Sequence, residues 1–248
     1  MVVTIPPLAD FVAKVGGDKA AISVMVPPGA NPHTYEPTPS QMVNVSKAQV
    51  YVKVGTAVEF ELSWMDKILK QNPHLQVIDC SIGISLLDDD PHIWNSPLQA
   101  KKIVLNISAG LARIDPANAG YYRDNANRYL QELDALDKYI REKLSGYTNR
   151  NFMIYHPAFG YLAADYDMNE IAIEREGHET TARIIQESID LAKKLNLRYI
   201  FVAEQFPTAQ AEAIAREIGG QIVFLDSLPR NYVAGVRGVV DAIAAELE

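Results

Sequence analysis

Short apolar runs alternate with helical segments over the first 80 residues. The helical segments are the amphipathic stretches Leu8–Val15, Pro39–Lys47 and Glu59–Gln71. The apolar runs that flank them are Val2–Ile5, Ala21–Val26, Val50–Val54 and Leu75–Asp79. Because strands that alternate with helices form parallel sheets covered on both faces, this pattern predicts an α/β lobe built on a four-stranded parallel sheet.

The second half of the chain repeats the alternation. Its helical segments are Thr180–Leu195, Thr208–Ile218 and Val233–Leu247. Its apolar runs are Phe152–Tyr155, Glu170–Ile173, Tyr199–Val202 and Ile222–Leu225. The pattern therefore predicts a second α/β lobe with a four-stranded parallel sheet flanked by helices.

One long apolar stripe lies between the two halves. Asp115-Pro116 is a typical helix start, and Gly146 is a typical stop. The stripe recurs at spacings of three and four: Tyr122, Ala126, Tyr129, Leu133, Leu136, Ile140 and Leu144. A helix of about 30 residues is roughly 45 Å long, enough to span both lobes. We predict an N-terminal lobe over residues 1–114, a rigid linking helix over 115–146 and a C-terminal lobe over 147–248.

Composition narrows the classes of function. Asp and Glu number 31 against 23 Lys and Arg, a formal net charge of −8. Such a surface repels phosphate backbones, so we expect no nucleic-acid partner. The sequence contains no run of 18 apolar residues, so it predicts no membrane-spanning helix. The single cysteine, Cys80, excludes an internal disulfide and a Cys-rich zinc module, so a metal site has to use His and carboxylates.

Three of the five histidines follow predicted strands. His33 and His92 lie in loops after the second and fourth apolar runs, His156 directly ends the fifth, and each is beside a proline. Asp226 ends the eighth run. Because α/β sheets build their sites at the carboxyl ends of the strands, we expect these four residues to meet across a cleft. Three imidazoles and one carboxylate suit a borderline divalent ion such as Zn²⁺.

Other polar residues are weaker candidates. His74 precedes a strand, which places it away from the carboxyl ends of the strands, where the site is expected. His178 follows the sixth strand and is a lesser candidate ligand. Glu36 and Glu204 are candidates to orient ligating imidazoles, although capping roles fit them equally well. The acidic run 88–90 is expected to be a solvated loop tip.

Four segments carry a resemblance to a known family. They are Pro-Pro-Gly-Ala-Asn-Pro-His-Thr-Tyr-Glu-Pro-Thr-Pro (27–39), Asp-Pro-His-Ile-Trp (90–94), Tyr-His-Pro-Ala-Phe-Gly-Tyr (155–161) and Leu-Asp-Ser-Leu (225–228). Together they resemble the metal-binding solute receptors of ABC importers, in the zinc-uptake (ZnuA-like) branch. The resemblance implies two lobes on a rigid helix and one buried transition-metal ion, with His33, His92, His156 and Asp226 as its ligands.

The resemblance also implies a preference and a location. Manganese-preferring members often carry Glu at the third ligand position, so His156 favours zinc, although Mn²⁺ is a possible ligand. Family members are exported, which implies a periplasmic or cell-surface protein whose signal segment is absent from this chain. Two departures stand out: Trp94-Asn95-Ser96-Pro97 replaces the usual Trp-Leu-Asp-Pro, and only residues 81–90 stand where zinc receptors often carry a His-rich loop.

The resulting hypothesis is a monomeric, non-enzymatic receptor that captures Zn²⁺ and delivers it to the membrane permease of an ABC importer. One alternative is a manganese- or iron-preferring receptor of the same family. Another, from a different class, is a zinc hydrolase with His33, His92 and His156 as ligands and Asp226 or Glu36 as general base. Four protein ligands would leave no position for an activated water, which favours the receptor.

Overall fold

The computed structural model describes residues 1–88, 90–174 and 181–247, and it contains two four-stranded parallel sheets. The first sheet has the order β2-β1-β3-β4 and the second β6-β5-β7-β8. The strands are β1 (Val2–Val3), β2 (Ser23–Val24), β3 (Val50–Lys53), β4 (Gln76–Asp79), β5 (Asn151–Ile154), β6 (Asn169–Ala172), β7 (Tyr199–Ala203) and β8 (Gln221–Leu225). The predicted α/β architecture is confirmed, with strand ends within three residues of those expected.

Helices connect the strands. They are α1 (Pro6–Gly16), α2 (Pro39–Lys47), α3 (Glu59–Gln71), α4 (Pro97–Ile114), α5 (Ala119–Leu144), α6 (Gly160–Asp165), α7 (Ala182–Lys194), α8 (Ala209–Glu217) and α9 (Tyr232–Ala245). We call the first sheet with α1–α4 the N-terminal lobe and the second sheet with α6–α9 the C-terminal lobe. Within the described ranges, no helix combines the length and apolarity needed to cross a membrane.

The long connecting helix is present, but its start differs from the prediction. A 3₁₀ turn over Pro116–Asn118 precedes α5, so the α-helical part has 26 residues and is about 39 Å long. The Asp115 side chain does not cap backbone N–H groups; its carboxylate accepts bonds from the Tyr122 hydroxyl and the Asn118 amide. All seven residues of the predicted stripe are buried.

The two lobes share one hydrophobic core around α5. This helix packs against α1, α4 and α9, so elements from both ends of the chain meet on it. One contiguous cluster of buried residues includes Val52 of the first sheet, Leu133 of α5 and Phe152 of the second sheet. A second cluster, which includes Met153 and Ile189, lies in the C-terminal lobe.

Two partly buried hydrogen bonds to one carboxylate join α1, α5 and α9. Asp10 on α1 accepts a hydrogen bond from the Tyr129 hydroxyl on α5 at 3.2 Å and from the Tyr232 backbone N–H at the start of α9 at 3.1 Å. The Phe11 ring lies edge-on to Tyr232 at 4.7 Å between centroids. These contacts therefore join α1 of the N-terminal lobe and α9 of the C-terminal lobe to the connecting helix α5.

Candidate metal centre

Three histidines converge in the cleft between the two lobes. His33 follows β2, His92 follows β4 and His156 follows β5. One ring nitrogen of each lies within 4.8 Å of those of the other two. His92 and His156 are buried at 4% and 3% exposure, and His33 is half-buried. The site therefore combines residues of both lobes.

Local structure holds the His33 loop in place. Thr38 and Gln41 form a capping box at the start of α2. The Gln41 amide also donates to the carbonyls of Val24 and Met25, the latter at 2.6 Å, so both ends of the loop are joined. Within the loop, the Asn31 carboxamide oxygen accepts the backbone N–H of His33 at 2.9 Å.

Each imidazole has its own carboxylate partner. Glu59 Oε2 lies 2.8 Å from His33 Nδ1, and Asp90 Oδ1 lies 2.8 Å from His92 Nδ1. Glu174 Oε2 lies 3.1 Å from His156 Nδ1.

A carboxylate at Nδ1 fixes the tautomer of a histidine and leaves the lone pair of Nε2 available to a metal. His156 Nε2 fits this assignment, since it is buried and has no hydrogen-bond partner among the described residues. His92 and His156 carry this hydrogen bond and are thus oriented as ligands. Glu59 Oε2 lies close to His33 Nδ1, but within the described part of the chain it forms no hydrogen bond.

Electrostatics favour the neutral form of His156. Burial lowers the pKa of His156, and the neighbouring His92 and His33 lower it further against the opposing effect of Glu174. For Glu59, burial opposes ionisation, but its contact with His33 and the nearby His92 leave its pKa below the ordinary value. Neutral imidazoles beside ionised carboxylates are the state that binds a divalent cation.

Aromatic side chains enclose the cluster. Phe206, in the loop after β7, stacks on His156 with ring centroids 4.2 Å apart and an interplanar angle of 19°. The same ring lies 5.9 Å from His33. Trp94 lies edge-on to His92 at 5.1 Å. These contacts restrict water at the rings and strengthen electrostatic interactions there.

Asp226 is placed differently from the histidines. It is exposed, directly after β8, and its Oδ1 accepts the backbone N–H of Leu228 at 2.9 Å. Among residues 1–88, 90–174 and 181–247, the close group of potential ligand atoms contains the three histidines without Asp226. Its role as a fourth ligand stays a prediction.

The carboxylates that contact the imidazoles were not those suggested by the sequence. Glu36 and Glu204 are exposed, whereas Glu59, Asp90 and Glu174 contact the rings. Asp90 had a local signal, because an Asp two residues before a histidine can accept its backbone N–H, as it does here at 2.8 Å. For Glu59 and Glu174, the sequence carried no comparable signal.

The remaining histidines lie elsewhere. His74 lines a cavity of about 620 Å³ near the amino ends of the first sheet, together with Lys19 and Tyr122. His178 lies outside the described residues.

A buried carboxylate supports the loop after His156. Glu170 on β6 accepts the backbone N–H groups of Ala158 at 3.1 Å and Phe159 at 2.9 Å. Burial raises the pKa of Glu170 to about 7, and the nearby Asp90 contributes in the same direction. Glu170 thus orders this loop at an energetic cost when it is ionised.

Hydrogen bonds from the segment after His92 join the lobes. The Trp94 indole donates to the Ser227 carbonyl at 2.8 Å, and the Asn95 amide donates to the Ala158 carbonyl at 2.7 Å. The Ser96 hydroxyl donates to Asp165. Asn95 and Ser96, the two positions noted as departures in the sequence, therefore both contribute contacts between the lobes.

Comparison with known proteins places this geometry in context. The family model described as ZnuA, "Zinc-uptake complex component A periplasmic", matches residues 1–246. The high-affinity zinc uptake system protein ZnuA of Bacillus subtilis is 29% identical over 92% of this chain and 78% of its own length.

Two further similarities agree with it. The zinc-binding lipoprotein AdcA of Streptococcus pneumoniae is 28% identical over 92% of this chain, which spans 50% of that longer relative. A crystal structure of a ZnuA deletion mutant with zinc bound is 37% identical and has a TM-score of 0.95, covering 100% of this chain and 97% of that one.

Proposed function

We propose that this chain, which belongs to the ZnuA family of periplasmic zinc-uptake components, captures one Zn²⁺ in its cleft and delivers it to the membrane permease of an ABC importer. The observation that supports this most directly is the cluster of three histidines from both lobes, each with a carboxylate at Nδ1. The family is one of solute-binding receptors, so zinc is here the cargo.

The donor set favours zinc over manganese. Imidazole nitrogens suit Zn²⁺, whereas Mn²⁺ prefers carboxylate and water oxygens. His33, His92 and His156 would bind through Nε2, and Asp226 would supply the fourth ligand from the C-terminal lobe. With four protein ligands the coordination would be closed, which suits capture and release rather than hydrolysis.

The remaining parts of the proposal concern the whole molecule. We place the protein outside the cytoplasm, as a monomer with a divalent ion and a permease as partners and no nucleic acid. Residues 1–114 and 147–248 would act as the two lobes, and 115–146 as the rigid link. The shared core around α5 and the bonds from Trp94 and Asn95 across the cleft support small relative movements of the lobes.

Metal competition on the purified chain tests the proposal. We expect one bound Zn²⁺ per chain, with tighter binding of Zn²⁺ than of Mn²⁺ or Fe²⁺. His156→Ala and Asp226→Ala should both weaken it. His74→Ala is the matched control, because it removes an imidazole at the amino ends of the strands, opposite the site, and should leave zinc affinity unchanged.

Three outcomes would contradict it. Absence of stoichiometric metal would remove the receptor function altogether. Tighter binding of Mn²⁺ than of Zn²⁺ would place the protein among manganese receptors. Hydrolysis of an activated ester by the zinc-loaded chain, abolished by Asp226→Ala, would support the hydrolase.

A further inference from the structure

Trp94 connects the histidine cluster to the loop that carries Asp226. Its side chain is 1% exposed, and its ring lies 5.1 Å from that of His92, two residues earlier. Its indole N–H donates to the backbone carbonyl of Ser227 at 2.8 Å. One side chain thus contacts a proposed ligand in the N-terminal lobe and the backbone next to another in the C-terminal lobe.

The loop around Asp226 is anchored on both sides of that residue. Leu225, Ser227 and Leu228 are buried, whereas Asp226 itself is exposed. The Leu228 N–H occupies Oδ1 of Asp226. This bond holds the carboxylate in one orientation and leaves Oδ2 as the oxygen available for a metal.

The hydrogen bond from the Trp94 indole to the Ser227 carbonyl constrains the backbone beside Asp226. A buried indole N–H needs an acceptor, and a backbone carbonyl is a fixed one. Because the carbonyl belongs to Ser227, the bond sets the position of the backbone next to Asp226 relative to the N-terminal lobe. Loss of the N–H would release this constraint while leaving the Asp226 side chain intact.

We infer that Trp94 is a positioning residue that holds the Asp226 loop in reach of the three histidines, and thereby gives the site its fourth ligand. The inference rests on the proposed function, since it requires that Asp226 binds the zinc that the histidines bind. Trp94 acts through the Ser227 backbone and is not itself a ligand.

A double-mutant cycle tests this inference by zinc affinity. Trp94→Phe keeps an aromatic ring beside His92 but removes the N–H. We expect it to weaken Zn²⁺ binding by roughly 10-fold or more, the range for residues that support metal ligands. In an Asp226→Asn background, the same change should have no further effect, because the ligand that Trp94 positions is already lost.

Tyr139→Phe is the matched control. It also removes an aromatic hydrogen-bond donor that joins two elements, since the Tyr139 hydroxyl on α5 donates to Asp241 on α9. That bond involves neither the Asp226 loop nor the segment that carries Asp90 and His92, so this variant should retain wild-type affinity.

The outcomes separate the possible failures. Equal loss of affinity from Trp94→Phe in both backgrounds would show that Trp94 acts through His92, which overturns the inference. Wild-type zinc affinity of Asp226→Asn would also overturn the inference. If His156→Ala weakened zinc binding in the same experiment, the proposed zinc-receptor function would still stand. No zinc binding by the unmodified chain would instead refute the proposed function.

A spectroscopic readout covers the case in which Trp94→Phe fails to fold. The chain has two tryptophans, so Trp64→Phe assigns the Trp94 indole N–H resonance. Saturating Zn²⁺ should shift this resonance in the otherwise unmodified protein and shift it much less in Asp226→Asn. The same shift in both proteins would contradict a connection between Trp94 and the Asp226 loop.

Discussion

Removal of the carboxylate behind His92 should weaken zinc binding without disturbing the fold. Asp90 Oδ1 lies 2.8 Å from both the backbone nitrogen and Nδ1 of His92, and the His92 side chain is 5% exposed. A hydrogen bond that involves a charged group contributes about 1.5–3 kcal/mol, and each 1.4 kcal/mol changes an affinity tenfold. Asp90→Ala should therefore weaken Zn²⁺ binding by about 10- to 100-fold.

The series Asp90→Asn, Asp90→Ala separates orientation from charge. Asn retains an oxygen that can accept both hydrogen bonds from His92. Asp90→Asn should therefore weaken Zn²⁺ binding by about tenfold or less, through the loss of charge alone. Asp88→Asn is the matched control, because it removes one negative charge from the same loop at an exposed position.

Asparagine also tolerates the positive φ of 37° at Asp88. Chelator competition at pH 7.5 gives the affinities. Equal affinities for Asp88→Asn, Asp90→Asn and Asp90→Ala would refute the argument that the carboxylate orients and activates His92.

Three further changes test other parts of the structure. Because burial raises the pKa of Glu170 to about 7 from 4.5, the stability that its protonated form gives is complete below pH 4.5 and is lost as the pH rises through 7. In denaturant titrations of the metal-free protein, the free energy of unfolding of Glu170→Gln should therefore rise relative to wild type by up to about 3 kcal/mol between pH 4.5 and 8. A difference that stays constant with pH would contradict this. Phe206→Ala removes the ring stacked on His156 and should speed zinc dissociation roughly 2- to 10-fold in stopped-flow chelation, whereas an unchanged rate would show that the ring does not cover the metal. Leu133→Ala, in the buried seam of α5, should lower the free energy of unfolding by about 2–5 kcal/mol and leave zinc affinity unchanged; a loss below 1 kcal/mol would mean that the seam is loosely packed.

The fold was predictable because its signals are local. The β-branched runs, the prolines and glycines that end them and the stripe on α5 each act within a few residues. The convergence of His33, His92 and His156 followed from one further rule, that parallel strands place their carboxyl ends together.

Other features depend on contacts that no local pattern encodes. Glu59 and Glu174 meet their histidines from α3 and from the end of β6, at distances in sequence of 26 and 18 residues. Phe206 reaches His156 from a third loop. The strand-end rule places Asp226 at the correct edge, but it does not fix how far a side chain one residue beyond β8 reaches into the cleft.

The common core around α5 also limits how sequences of this kind can diverge. Phe11, Tyr129 and Tyr232 lie on α1, α5 and α9, and they pack in one cluster although more than 200 residues separate the first from the last. A lobe transferred alone from a relative would bring one face of this cluster without its counterparts. Recombination at the lobe boundary is therefore disfavoured, and substitutions on these three helices are expected to be inherited as sets.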